Sequence, residues 1–61
     1  MGIYDEMRRD LNELVSLVRQ SERYMTSISA NPKLASEATH TAELQREHRI
    51  AELSARYGIT A

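Results

Sequence analysis

Apolar side chains recur through the first half of the sequence at alternating steps of four and three residues. The positions are Met7, Leu11, Leu14, Val18, Ser21, Met25 and Ile28, and only Ser21 is polar. This heptad spacing places its members along one side of an α-helix and is typical of a helix that packs against another helix. No glycine or proline lies between Gly2 and Pro32. The pattern therefore predicts one unbroken helix over about residues 3–29.

The dipeptide Asn31-Pro32 predicts a turn at about residues 30–31. The residue before a proline avoids helical geometry, whereas proline itself fits the first turn of a new helix. With Asn31 as its N-cap, a second helix is predicted over about 32–57, followed by a short tail, 58–61. Gly58 is expected to take the left-handed position of a Schellman ending. Two helices joined by so short a turn should lie antiparallel, so the predicted fold is all-α, a single two-helix hairpin.

Placing the two helices level about this turn predicts which side chains of the second helix face the first. The predicted seam of the second helix is Leu34, Thr41, Leu44, His48, Ala51 and Ala55. Ser21 would then meet Thr41 in a polar layer, which either fixes the register of the helices or leaves each hydroxyl bonded to a carbonyl one turn back. His48 is expected to be partly buried.

Further apolar side chains flank these seams, and an isolated hairpin of this design would leave them exposed. They are Ile3, Val15, Leu17, Tyr24, Ala42, Ile50, Leu53 and Tyr57. Contiguous exposed apolar surface indicates an interface, so we interpret this set as a contact with another copy or with a protein partner.

The length and composition of the chain favour self-association. A chain of 61 residues buries only about 60% of the surface that it exposes when unfolded, and small chains are usually stabilised by disulfides, metals or oligomerisation. The sequence contains no cysteine, which closes the first route and fits a cytoplasmic location. A four-helix or larger bundle of hairpins is therefore expected. No apolar run approaches the roughly 20 residues of a membrane span, and no membrane association is predicted.

Eight basic and nine acidic side chains give a formal charge of −1, so no overall field directs the chain to nucleic acid. Locally, Arg8, Arg19 and Arg23 fall along one flank of the first helix together with Asn12. Such a stripe is typical either of a solvated helix face or of a surface that follows a phosphate backbone. An RNA-binding hairpin is therefore the first alternative function.

Glu37 and His40 stand three residues apart, which aims a carboxylate and an imidazole at one point on a helix, as in di-iron carboxylate bundles. Glu22 lies at a suitable level to join them. A metal-carboxylate site is therefore the second alternative, although such spacings also arise by chance in a Glu-rich helix. Glu43 and Glu47 are expected on a helix face rather than in a cleft, so neither is predicted to be catalytic. No nucleophile pairs with a histidine, so no catalytic residue, bound metal or cofactor is predicted.

Residues 50–60 resemble the first helix and turn of a DNA-binding helix-turn-helix. Leu53, Ser54, Gly58 and Ile59 occupy its apolar, small, turn-glycine and second apolar positions, with Thr60 where the next helix would be capped. Only Ala61 follows, so no recognition helix is expected, and a helix C-cap explains the same glycine.

These observations favour a non-enzymatic interaction module over the two alternatives. We expect it to self-associate through its helical seams and to bind a protein partner as a regulator, an inhibitor or a structural assembly subunit. Small accessory proteins encoded by phages and plasmids are similarly short.

Overall fold

A computed structural model describes residues 2–59 of the chain. It contains α1 (Ile3–Ala30), a short 3₁₀ helix (Pro32–Leu34) and α2 (Glu37–Arg56), and no strand occurs among the described residues. Tyr24 lies beside Thr39 near the turn, and Asp10 lies beside Arg56 at the far end. The two helices are therefore antiparallel. The predicted all-α helical hairpin is confirmed.

The ends of α1 follow from its local sequence. The backbone N–H of Gly2 donates to the Asp5 carboxylate at 3.2 Å, and Asp5 and Glu6 place negative charge in the first turn. Negative charge there opposes the positive end of the helix dipole. At the other end, Asn31 is extended, with φ −145° and ψ 90°. The helix ends at Ala30 because Asn31, the residue before the proline, cannot easily stay helical.

The second helix begins five residues later than the sequence predicted, at Glu37 instead of Pro32. Asn31 does act as a cap, but its side chain accepts from Lys33 N at 3.2 Å and therefore caps the 3₁₀ turn. The cap of α2 is Ser36, whose Oγ accepts from Thr39 N at 3.1 Å while Ser36 N donates to Thr39 Oγ1 at 2.8 Å. This reciprocal pair is a capping box, and it fixes where α2 starts.

The C-terminal end of α2 has the predicted Schellman geometry. Gly58 has φ 66°, a left-handed conformation that suits glycine because it has no Cβ. Ile59 N donates to Ser54 O at 2.8 Å, and Gly58 N donates to Ala55 O at 3.3 Å. These are the two backbone bonds that define the motif. The glycine of the helix-turn-helix-like segment is thus explained as a C-cap, and Thr60 lies outside the described residues.

The core between the helices is thin. Leu14 and Leu53 are the only buried apolar side chains among residues 2–59, with exposed fractions of 9% and 0%. Around them lie half-buried side chains from both helices: Asp10, Leu11, Leu17, Ser21, Tyr24, Ile28, Ala42, Arg46, Ile50 and Tyr57. Many of these are polar, so apolar burial alone does not hold the hairpin together.

The predicted seam of α2 is wrong. Thr41, Leu44, His48, Ala51 and Ala55 are all exposed on α2, and Leu34 is exposed in the turn. On α1 the prediction is wrong for Met7, Val18 and Met25, which are also exposed, whereas Leu11, Leu14, Ser21 and Ile28 lie against α2 or beside it. The polar layer at Ser21 exists, but its partner is Glu43 and not Thr41.

Most of the side chains that we interpreted as an intermolecular interface instead pack between α1 and α2. This correction applies to Leu17, Tyr24, Ala42, Ile50, Leu53 and Tyr57. The physical reason is rotation: each residue of an α-helix turns the chain by about 100°, so a helix that starts later, after non-helical residues, presents a different face. The observed face also offers larger apolar side chains than the predicted one. Ile3 and Val15 remain exposed.

The hairpin is elongated and has a large surface for its mass. Its extents are 45 × 21 × 15 Å and its radius of gyration is 13.7 Å, against about 10.5 Å for a compact chain of this length. Its accessible surface is 4944 Å², whereas about 4,000 Å² is typical of a folded monomer of this mass. Neither described helix holds an apolar stretch that could cross a bilayer.

Candidate interaction surface

An apolar strip runs along one side of α1, and we call it the α1 strip. Its members are Met7, Leu11, Val15, Val18 and Met25. Leu11 is half-buried and the other members are exposed, with exposed fractions of 50% for Val15 and 54% for Met25. At 100° per residue, the centre of this strip lies about a quarter of a turn from the side of α1 that meets α2. Folding of the hairpin therefore leaves the strip open to solvent.

The outer side of α2 carries the residues of the seam that the sequence predicted. This α2 outer face consists of Thr41, Leu44, His48, Ala51 and Ala55. Leu44 is its only large apolar side chain and is 51% exposed. The face is therefore less apolar than the α1 strip, and it points away from α1.

The side of the hairpin opposite the α1 strip is polar and is crossed by two sets of ion pairs. Arg49 donates to both carboxylate oxygens of Glu13, from Nε at 2.6 Å and from Nη2 at 3.0 Å, and its Nη1 donates to Glu52 at 2.8 Å. Farther from the turn, Asp10 accepts from Arg56 Nη1 at 2.8 Å and from the Tyr57 hydroxyl at 2.5 Å. These bonds connect the helices, and they use side chains long enough to span the gap.

Hydrogen bonds between these groups shift their pKa values. The Tyr57 hydroxyl and the Arg56 guanidinium both lower the pKa of Asp10, and the hydrogen bond to Asp10 together with burial raises the pKa of Tyr57. Hydrogen bonds from Arg49 lower the pKa values of Glu13 and Glu52. The side chains of Glu13, Arg49, Glu52 and Arg56 are each exposed by about a third or more. Water and salt therefore screen the attraction within these ion pairs, and each pair adds little stability.

Glu43 lies between the helices with an exposed fraction of 4%, the one buried charged side chain of residues 2–59. Its Oε1 accepts from the Ser21 hydroxyl, and its Oε2 accepts from Arg46 Nε at 3.0 Å and from Arg46 Nη2 at 2.8 Å. The hydrogen bond from Ser21 lowers the pKa of Glu43, and Arg46 adds to this, against the opposing effect of burial. The sequence placed Glu43 on a helix face, and the structure shows that this face is turned toward α1.

Tyr24 and Thr39 complete this cluster next to the turn. The Arg46 guanidinium lies over the Tyr24 ring, 5.6 Å from its centroid, a distance at which a cation is attracted to the ring face. The Tyr24 hydroxyl lies 3.4 Å from Thr39 Oγ1. The cluster joins the second half of α1 to the first half of α2, and every polar atom named in it has a partner. Its chemistry is structural, because it offers no free group to a substrate.

The arginines of the two helices differ in their surroundings. Arg46, Arg49 and Arg56 of α2 each form an ion pair. Arg8, Arg19 and Arg23 of α1 are exposed, and within residues 2–59 none of them lies within 4.0 Å of a carboxylate. Arg19 and Arg23 line a shallow surface groove with Asn12, Val15, Ser16 and Gln20. This arginine face lies on the side of α1 that points away from α2.

The residues of the alternative metal site do not converge. Glu22, Glu37 and His40 are exposed, and no group of three or more histidine, aspartate or glutamate side chains suited to a metal forms within the described range 2–59. Glu37 lies in the first turn of α2, where its charge favours the helix dipole.

Sequence reasoning missed the polar contacts between the helices. Asp10 and Glu13 lie on α1, and Arg49 and Arg56 recur seven residues apart on α2. The sequence does carry a signal for these contacts, because the acids of α1 and the arginines of α2 fall opposite one another when the two helices are antiparallel. A heptad pattern defined by apolar residues alone does not include that signal.

No protein-family model, curated protein or solved structure matches this chain significantly.

Proposed function

We propose that this chain is a small non-enzymatic interaction module that self-associates and binds a protein partner as a regulator, an inhibitor or a structural assembly subunit. The observation that carries the proposal is the α1 strip, a line of apolar side chains that hairpin folding leaves exposed. Exposed apolar strips of this kind are typical of helix–helix association. The lack of cysteine in the sequence supports a cytoplasmic location for the module.

The unusually large accessible surface also supports self-association. Each hairpin exposes roughly 900 Å² more than a typical monomer of its mass, and each partner of a standard protein interface buries about 800 Å². Association of two hairpins through the α1 strip would thus bring the exposed area of each close to the ordinary value. Two associated hairpins would form an assembly of four helices.

Binding is favoured over catalysis by the shape and chemistry of the exposed surface. The described residues present two elongated helix faces and a shallow groove, whereas active sites are concave and combine several converging polar groups. The polar cluster around Glu43 is enclosed and internally paired. The α2 outer face remains available to a protein partner when α1 is occupied by a second copy.

Substitution of Val18 by glutamate tests self-association. Val18→Glu places a charge in the middle of the α1 strip and should convert the assembly to monomers, because burying an unpaired charge is costly. Gln20→Glu is the matched control, since Gln20 is exposed on the side of α1 that lies away from the strip, and it should keep the mass of the wild type. Light scattering measures the mass of each variant, and a wild-type monomer at high concentration contradicts the proposal.

Partner binding is tested on α2. Leu44→Asp removes the only large apolar side chain of the α2 outer face, and Gln45→Asp is its control on a neighbouring exposed position. A specific protein should co-purify from the native host with the wild type and with Gln45→Asp, and it should be lost with Leu44→Asp. Retention of the same protein by both variants would show that it binds elsewhere.

A second candidate function is supported by the unpaired arginines of α1. Arg8, Arg19 and Arg23 could follow a phosphate backbone of RNA, because they are exposed and free of carboxylates within residues 2–59. Such binding should weaken steeply with salt, and Arg19→Gln with Arg23→Gln should reduce both affinity and salt dependence. Lys33→Gln serves as the control, since it removes a positive charge outside this face. Equal loss with the control would indicate non-specific attraction.

A further inference from the structure

We propose that the α1 strip is occupied by the α1 strip of a second copy, with the two α1 helices antiparallel about a two-fold axis beside Val15 and Ser16. This inference rests on the proposed self-association and specifies its geometry. Three observations support it: the placement of the apolar side chains, the placement of two charges, and the exposed area.

The two outermost apolar side chains of the α1 strip lie symmetrically about the level of Ser16. Met7 lies nine residues before Ser16 and Met25 lies nine residues after it, and the exposed side chains of Val15 and Val18 lie between them. Antiparallel pairing about this level places Met7 opposite Met25 of the second copy, with Val15 and Val18 of both copies in between. The contact extends over about 27 Å of helix at 1.5 Å per residue.

The charges beside the strip select the antiparallel arrangement. Arg8 and Glu22 lie seven residues before and after Val15, so all three share one edge of the strip. Both charged side chains are exposed and have no ion-pair partner within residues 2–59. Antiparallel pairing brings Arg8 of each copy to Glu22 of the other. Parallel pairing would place like charges level with one another.

The exposed area fits a second copy of this size. The excess accessible surface of roughly 900 Å² per hairpin equals about one side of a standard interface. The α2 outer face is a poorer surface for a second copy, because it offers Leu44 as its only large apolar side chain.

Cysteine cross-linking tests the antiparallel arrangement of the two α1 helices. Because the sequence contains no cysteine, only the introduced cysteines can react. With a short bismaleimide, Val15→Cys should cross-link to itself in high yield because Val15 lies at the axis. Met7→Cys mixed with Met25→Cys should give mixed dimers, whereas Met7→Cys alone should not cross-link. Asn12→Cys, on the arginine face, reports the yield of random collisions. Light scattering of each uncross-linked variant confirms that it still associates.

The outcomes separate this inference from the proposed function. If the wild type is a dimer but Met7→Cys cross-links to itself, the helices are parallel and the inference is overturned while self-association stands. A dimer in which Val15→Cys reacts no better than Asn12→Cys also overturns it, since another surface then forms the contact. A monomeric wild type removes both proposals.

Exchange of the two charges provides an independent test. Arg8→Glu and Glu22→Arg, each alone, should raise the dimer Kd roughly three- to tenfold, because two favourable pairs become two repulsive ones. The double variant R8E/E22R should restore the wild-type Kd, since the pairs are re-formed with reversed signs. Sedimentation equilibrium measures the three constants. A double variant no tighter than the single variants contradicts the antiparallel pairing.

Discussion

Glu43 is the residue whose surroundings differ most from what its type suggests. Burial of a carboxylate is costly unless hydrogen bonds and an opposite charge compensate for it. Here Ser21 donates from α1, and Arg46 donates twice from α2. The cluster therefore fixes the position of α2 along α1. Removal of any one of its side chains would leave a buried polar group without its partner.

Truncation of Glu43 measures this dependence. Glu43→Ala should lower the free energy of unfolding by about 1–3 kcal/mol, because Ser21 and Arg46 lose their acceptor inside the hairpin. Glu47→Ala, four residues along α2 and exposed, should change stability far less. Thermal melting followed by circular dichroism compares the two. Equal melting temperatures would show that the cluster does not support the hairpin.

The carboxylates between the helices also predict a dependence on pH. The folded pKa values of Asp10, Glu13 and Glu43 lie below their ordinary values of 3.8, 4.5 and 4.5. A lowered folded pKa stabilises the protein above the unfolded pKa, and the effect is lost as the pH falls through the folded pKa. The melting temperature should therefore fall as the buffer is acidified below about pH 4.5. A variant carrying Asp10→Asn, Glu13→Gln and Glu43→Gln should show a flatter profile.

At the scale of the helices, the sequence predicted what local signals determine. The extent of α1, at about 3–29 against Ile3–Ala30, follows from its lack of glycine and proline, and the α2 ending follows from Gly58. The predicted start of α2 at Pro32 is wrong, because proline is equally suited to the first turn of a 3₁₀ helix. The prediction also did not use the Ser36–Thr39 capping box, which marks the true start. Because of this error, the wrong side of α2 was predicted to face α1. No local feature of the α2 sequence identifies the correct side.

The capping box offers a prediction about α2. Ser36→Ala should destabilise the hairpin by about 1 kcal/mol, because Thr39 N loses its acceptor at the start of the helix. Ser29→Ala, in the exposed last turn of α1, is the matched control and should be neutral or slightly stabilising. Hydrogen exchange at the first-turn amides of α2 locates the effect. Unchanged exchange there would mean that Ser36 does not determine where α2 begins.

At the scale of the whole molecule, the hairpin has a thin core and a large exposed surface. Two buried apolar side chains and three polar clusters join helices that extend over 45 Å. The predicted exposure of Ile3 and Val15 agrees with the structure. The prediction that Met7, Val18 and Met25 lie in the interior is wrong, because apolar periodicity identifies a helix face without identifying what covers it.

The stability of such a molecule should depend on its concentration. If association covers the α1 strip, the melting temperature should rise as the protein concentration increases, because only the folded chain associates. The melting temperature of Val18→Glu should not change with protein concentration. At high concentration it should lie below that of the wild type. A wild-type melting temperature that is independent of concentration would indicate a hairpin stable by itself.

The non-helical residues around the 3₁₀ turn carry a consequence for sequence divergence. Loss or gain of one residue between Asn31 and Ser36 would turn α2 by about 100° relative to α1. The Glu43 cluster would then leave the contact, and a different face would have to supply the core. Related chains with a turn of another length should therefore differ along the whole of α2, even where α1 is unchanged.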